Sequence, residues 1–270
     1  MTILDDLERY YDTVPRLGGA RAEDFGPLTL FVQEGGGWPY YARPTLAGAG
    51  DGAEVTAEAV RRVRERQREL GVPEAFEWVA ETSPSLRAAA EAAGLDVHAH
   101  PLMVLATDAE PPAPHPEVRL VGADDPLLPA AVTVPKLAFG APGTALGEAG
   151  PAELAQALAD PGTADRAAHV SARLGSGRSG MAAAVRDGVV LASGMHNPVG
   201  GVAEVVAVGT LPAARRQGLA LGVTAALVAD ARARGADLVF LSAGDEDVAR
   251  IYGRAGFRRV GTALIAEPAA

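Results

Sequence analysis

Residues 203–211 form a valine-rich, strand-like run. It passes through Pro212 into Arg215-Arg216-Gln217-Gly218-Leu219-Ala220 and then into a helix-like run over 218–234. A strand, a short basic turn holding a glycine, and a helix in that order constrain the fold more than any other feature of the chain. In the helix, Val223, Leu227 and Ala231 recur at intervals of four, and Gly235 stands where a C-terminal cap is needed. Residues 238–242 are a continuous apolar run, as a strand covered on both faces requires. A helix over 245–255 ends at Gly256 and a last strand follows. The class is α/β, a mixed sheet with helices against it.

Upstream, 118–121 read as a short strand and 127–139 and 151–160 as helices. Residues 181–186 and 189–195, joined by Asp187-Gly188, carry a hairpin pattern. Residues 175–180 are glycine-rich without the Gly-Lys-Ser/Thr of a Walker loop and read as a flexible connection. The proline-rich stretch 109–116 reads as a linker between domains over 1–108 and 117–270, because proline removes amide donors and biases its neighbours to extended forms.

The first half ends in a faint copy of the second. Residues 76–81 overlie 238–243 at an offset of 162, and the same offset lays 83–95 over 245–257, with Gly94 on Gly256. A helix over 54–70 ending at Gly71 precedes this copy. The chemistry differs: Ala90 stands at the place of Tyr252, and Asp51-Gly52-Ala53-Glu54 stands near that of the basic turn, where two carboxylates would repel a pyrophosphate. Chance similarity between two glycine-capped helix ends is the alternative.

A pyrophosphate needs converging donors. A helix start supplies unpaired N–H groups and the positive end of the macrodipole, and Gly218 lets the backbone approach closely. Ala220 keeps the next contact small, and Arg215 and Arg216 add local positive charge. The Gly-x-Gly-x-x-Gly spacing of a Rossmann site is missing. A solvated helix start is the plain alternative.

The motif Arg-x-x-Gly-x-Ala at 215–220, followed by Tyr-x-x-x-Gly-Phe at 252–257, resembles the acyl-CoA-binding core of the GCN5-related N-acetyltransferases, specifically over about 180–260. The resemblance implies two tandem GNAT-like domains, the first degenerate. It implies that backbone groups of Val208, Gly209 and Thr210 hold the pantetheine arm and that Arg216, Gln217, Gly218, Leu219 and Ala220 hold the pyrophosphate. Tyr252 matches the tyrosine that protonates the departing thiolate; packing against Val248 is its other reading. The family pattern has an asparagine seven residues before that tyrosine, and here the residue is Asp245, which serves either the cofactor or the helix start. Glu204, eleven residues before Arg215, matches a catalytic glutamate of the histone-acetyltransferase members. By strand alternation it is expected on the face of Val208 and Thr210, as base, substrate contact or structural residue.

Such a transfer must also supply a neutral amine, which for a lysine-like pKa of about 10.4 costs roughly 4–5 kcal/mol at pH 7 without a base. His98, His100, His115, His169 and His196 form no metal cluster; His196 reads as a loop residue before a base. The absence of cysteine removes disulfides, thiolate ligands and the usual acyl carrier. A net charge of −10 argues against nucleic acid and membrane surfaces. The acidic N-terminus lacks the pattern of a signal peptide and no stretch reaches a membrane span, so a cytoplasmic protein is expected, monomer or homodimer.

The reading is an acetyl-CoA-dependent N-acetyltransferase for a small-molecule or protein amine, working by direct attack in a ternary complex and without a metal. Two alternatives stay open: a non-catalytic acyl-CoA-binding or regulatory module, and a protein-directed enzyme that docks its substrate through the first half.

Overall fold

The computed structural model of the chain describes residues 2–34, 39–46, 54–105, 109 and 115–269. In chain order the elements are α1 (Ile3–Leu17), β1 (Arg21–Asp24), β2 (Leu28–Val32), β3 (Ala42–Pro44), α2 (Ala57–Leu70), β4 (Phe76–Val79), α3 (Pro84–Ala92) and β5 (Asp96–Leu105). Next come β6 (Val118–Leu120), α4 (Leu128–Phe139), α5 (Pro151–Leu158), α6 (Gly162–Gly175), β7 (Gly180–Arg186), β8 (Val189–Val199) and β9 (Val202–Thr210). A 3-10 turn (Pro212–Ala214), α7 (Leu219–Ala233), β10 (Leu238–Ser242), α8 (Glu246–Arg254) and β11 (Phe257–Glu267) complete the chain.

Two compact units result: Met1–Leu102 with Val260–Ala270, and Met103–Arg259. The division expected at 109–116 therefore falls elsewhere. Residues 110–114 lie outside the described residues. Residues 260–270, expected with the second half, cluster with the first unit because β11 pairs antiparallel with β4, Ala263 opposite Val79 and Ala266 opposite Phe76. Leu264 and Ala266 then join the first unit's core beside Phe76 and Trp78. Pairing between segments so far apart leaves no local mark in the sequence.

In the first unit, β1, β2 and β3 pair antiparallel, while β3 and β4 pair parallel. Helix α2 starts at Thr56, whose hydroxyl accepts from the Ala59 amide, and ends at Gly71 with φ +66, the left-handed cap that a residue without Cβ adopts freely. The offset of 162 survives in three dimensions. It carries α3 onto α8 end to end, the first residue of β4 onto that of β10, and Gly94 (φ +84) onto Gly256 (φ +87). Ala90, at the place of Tyr252, is fully buried. Asp51, Gly52 and Ala53 lie outside the described residues.

In the second unit the strand order is β10–β9–β8–β7–β6, parallel between β10 and β9 and antiparallel elsewhere. The β7–β8 turn places Asp187 at φ +49 and Gly188 at φ +78, the two left-handed residues of the tight hairpin turn that Asp-Gly favours. Helices α4 and α7 pack on opposite faces of β8 and β9: the Ser193 hydroxyl reaches α4, whereas a Cβ on Gly194 would fall against Val223 and Leu227 of α7. Helix α6 has no counterpart among the sequence-based expectations, since only Thr163 and Ala167 of it are buried and its apolar period is faint.

Pro135 inside α4 lacks the N–H that would pair with the carbonyl of Ala131 four residues earlier. Ser193 Oγ of β8 donates to that carbonyl at 2.6 Å. A helix defect and a buried strand hydroxyl thus satisfy each other and fix α4 over the sheet.

Candidate functional site

A cleft of about 1200 Å³ opens in the second unit where β9 and β10 part. Their pairing covers Val202–Glu204 against Leu238–Phe240, yet β9 runs on to Thr210. On its other side β9 carries a bulge. Ser193 faces Gly209 and Met195 faces Val206, so Ala207 and Val208 together oppose Gly194. Ala207 takes φ +52, a conformation that costs a non-glycine residue of the order of 1 kcal/mol.

The bulge changes which residues share a face. Glu204 pairs with Asn197 and Gly209 with Ser193, on the side of α4. Val208 lies where a Cβ on Gly194 would meet it, on the side of α7. Thr210 pairs with Ala192 and shares that side. Glu204 is therefore opposite Val208 and Thr210, not beside them, because one inserted residue reverses the alternation. It still lines the cleft, half-buried.

The basic turn forms the cleft's next wall. Arg216 (φ +64) and Gly218 (φ +78) are both left-handed, and α7 begins at Leu219 with no side chain capping it. The first helical bond runs from Gly222 N to Gly218 O, so the amides of Leu219, Ala220 and Leu221 precede the helical ladder. Left-handed residues ahead of an uncapped helix make a concave array of N–H donors suited to an anion. Among the described residues, Asp187, Ala207 and Arg216 are the non-glycine residues with positive φ, and the last two line this cleft. Strained backbone concentrates where binding geometry demands it.

Two members of the turn are occupied elsewhere. Arg215 lines the cleft, but its guanidinium donates to the carbonyls of Ala138, Ala141 and Ala145 at 3.0, 2.5 and 3.0 Å. Burial lowers its pKa. Gln217 is not part of the cleft wall; its side-chain carbonyl accepts from Arg186 at 2.9 Å, within the Arg186–Glu117 pair. Arg215 thus directs its fork at the carbonyls beyond α4, while Arg216 of the same turn and Arg250 and Arg254 of α8 also line the cleft.

Tyr252, on α8, closes the far side of the cleft. It is buried, stacked edge-on to Phe257 with ring centroids 5.9 Å apart. Burial pushes its phenol pKa up to about 12, against a smaller opposing effect of a hydrogen bond with Thr224. Asp245 begins α8 and accepts from the Val248 amide at 2.8 Å, so its carboxylate is spent on the helix start while it borders the cleft. His196, expected in a loop, is fully buried within β8 with Nε2 2.7 Å from Asp230, outside the cleft. Burial lowers its pKa despite Asp230. Phe139, Pro142, Gly143 and Thr144, at the end of α4 and just beyond, line the remaining side and carried no signal in the sequence. Among the described residues, no group of three or more His, Asp or Glu is placed to hold a metal, and no helix is long and apolar enough to cross a membrane.

The cleft walls from β9, the basic turn, α7, β10 and α8 fall within residues 153–257, which match the model of the acetyltransferase (GNAT) family. The chain carries a GNAT acetyltransferase domain. A GCN5-related N-acetyltransferase from Kribbella flavida is 25% identical and superposes with a TM-score of 0.69 over 100% of this chain and 97% of its own. A GCN5-related N-acetyltransferase from Sphaerobacter thermophilus, 17% identical, shares the fold with a TM-score of 0.54 over 85% of this chain and 74% of its own. So does a tandem GNAT protein from the clavulanic acid biosynthesis pathway, 15% identical, with a TM-score of 0.55 over 90% and 79%. No curated protein is a significant match to this chain. The GNAT fold thus extends over both units, and the family motif lies in the second.

Proposed function

We propose that the second unit is an acetyl-CoA-dependent N-acetyltransferase acting on a primary amine by direct attack within a ternary complex. The observation that carries this reading is one cleft holding an uncapped helix start behind Arg216 and Gly218, a bulged strand, and a buried protonated phenol. The amides of Leu219 to Leu221, with Arg216, fit a pyrophosphate, and the backbone of Val208–Thr210 fits an extended pantetheine arm.

The amine nitrogen attacks the thioester carbonyl carbon, a C–N bond forms and the C–S bond breaks. Glu204 takes the proton from the nitrogen, and Tyr252 gives its proton to the departing thiolate. Solvent restores both groups. A phenol with a pKa near 12 stays protonated through the neutral range, as a proton donor to sulfur must. The chain has no cysteine to carry the acetyl group covalently.

Two-substrate kinetics test the route. Intersecting double-reciprocal lines, with no acetyl-enzyme formed when acetyl-CoA is given without amine, are expected. Parallel lines with a trapped acetyl-enzyme would overturn direct transfer.

A further inference from the structure

Two walls of the cleft, the loop beyond α4 and the basic turn, are joined by a band of hydrogen bonds that the proposed reaction does not use. Residues 140–150 leave the end of α4 and pass the 3-10 turn that precedes the basic turn. The Gly147 amide donates to Pro212 O at 3.2 Å, and the Ala213 amide donates to Ala149 O at 3.0 Å. The approach is close: a Cβ on Gly147 would fall 2.9 Å from Pro212 Cβ, and one on Gly150 would fall 3.3 Å from Ala213 Cβ. Arg215 completes the band from the other end, with its three bonds to Ala138, Ala141 and Ala145. Those carbonyls lie at and beyond the C-terminus of α4, the negative end of its macrodipole, where a cation is favoured. The next residue, Arg216, is the left-handed one that starts the array of phosphate-facing amides.

We propose that Arg215 is a positioning residue that couples the phosphate loop to the loop 140–150, so that filling the first sets the second. This rests on the reading of the cleft as an acetyl-CoA site. Both terminal nitrogens of the guanidinium are committed to the three carbonyls, so turning the fork toward a phosphate would break charge-assisted bonds. Its backbone, by contrast, is contiguous with Arg216. An anion that draws the amides of 216–221 into place fixes the Cα of Arg215, and the guanidinium then holds the carbonyls of 138, 141 and 145. Pro142, Gly143 and Thr144 line the cleft between those carbonyls, so this wall of the cleft is set by the same event.

Amide hydrogen exchange on the full chain, with coenzyme A as the probe, tests this. In wild type, coenzyme A is expected to slow exchange in both 216–221 and 140–150. In Arg215→Ala, coenzyme A should bind with a Kd within about threefold of wild type and still protect 216–221, while 140–150 exchanges about tenfold faster and no longer responds. Arg215→Lys, a single point charge in place of a fork, should respond partially and serves if the alanine variant does not fold. Coenzyme A protecting 140–150 equally in wild type and both variants would overturn the coupling. So would a tenfold or greater loss of coenzyme A affinity in both variants, which would make Arg215 a phosphate ligand. Coenzyme A protecting 216–221 but not 140–150 in wild type sinks the coupling alone; no protection anywhere sinks the cofactor reading along with it.

Discussion

Glu204 and Val208 occupy one strand yet project from opposite faces of the sheet, because the bulge at Ala207 inserts one residue between them. Without the bulge, the carboxylate and the valine would crowd the same side. With it, a carboxylate faces the α4 side while Val208 and Thr210 face the side of α7. The division suits a reaction in which cofactor and acceptor reach one thioester from different directions.

Tyr252→Phe keeps the edge-on contact with Phe257 and removes the proton. The expected result is a fall in kcat of about 10²- to 10³-fold with acetyl-CoA affinity unchanged, measured by thiol release and by calorimetric titration. Because burial raises this acid's pKa to about 12, its neutral form persists upward in pH, and the kcat profile of the wild type should have no falling limb from Tyr252 below about pH 11. A limb near pH 8–9 that vanishes in the variant would contradict the assignment.

Glu204→Gln is expected to lower kcat/KM at least about tenfold at neutral pH, with recovery at high pH where the amine deprotonates unaided. A uniform loss at every pH would instead mark Glu204 as a binding or structural residue.

Ser193→Ala leaves the Ala131 carbonyl without a donor, since Pro135 cannot supply one. A loss of about 1–3 kcal/mol in unfolding free energy is expected, read by denaturant titration. A change within about 0.5 kcal/mol would mean that water or a shift of α4 replaces the bond.

Gly209→Ala drives a methyl to 2.9 Å from Pro135 Cα and Ala138 Cβ, one of them backbone. Overpacking should cost about 1–3 kcal/mol and weaken acetyl-CoA binding by moving α4 away from the bulge. Unchanged stability would show that α4 is free to give way.

Glu77 in the first unit has its carboxyl pKa raised by burial from 4.5 to about 7, with Arg43 acting the other way. The folded state therefore holds a proton that the unfolded state releases first. Stability from this group is full below about pH 4.5, falls as pH rises toward 7 and is flat above, a loss approaching about 3 kcal/mol. Glu77→Gln should remove that slope from the pH dependence of unfolding; an unaltered slope would place its origin elsewhere.

Most of the second unit was legible in the sequence because its signals are local. Asp187-Gly188 dictates a tight turn, residues 238–242 dictate a strand covered on both faces, and Gly218 and Gly235 bracket α7. What escaped is non-local or depends on side-chain choice. Strand alternation alone put Glu204 beside Val208, since no residue type at 207 announces the bulge: alanine sits there at a positive φ. Arg215 and Arg216 are indistinguishable as letters, and only the position of the carbonyls at and beyond the end of α4 separates the one bonded to them from the other that lines the cleft. The return of β11 to β4 in the first unit had no counterpart in composition or period. The repeat at offset 162 was legible because helix length and glycine caps are local, and α3 and α8 coincide end to end.

Thiol release from acetyl-CoA across a panel of small primary amines and lysine peptides reads out whether the cleft transfers an acetyl group to an amine. Amine-dependent release matched one for one by N-acetylated product is expected, slowed about 10²- to 10³-fold in Tyr252→Phe. Saturable binding of acetyl-CoA with no amine-dependent release from any member of the panel would contradict it.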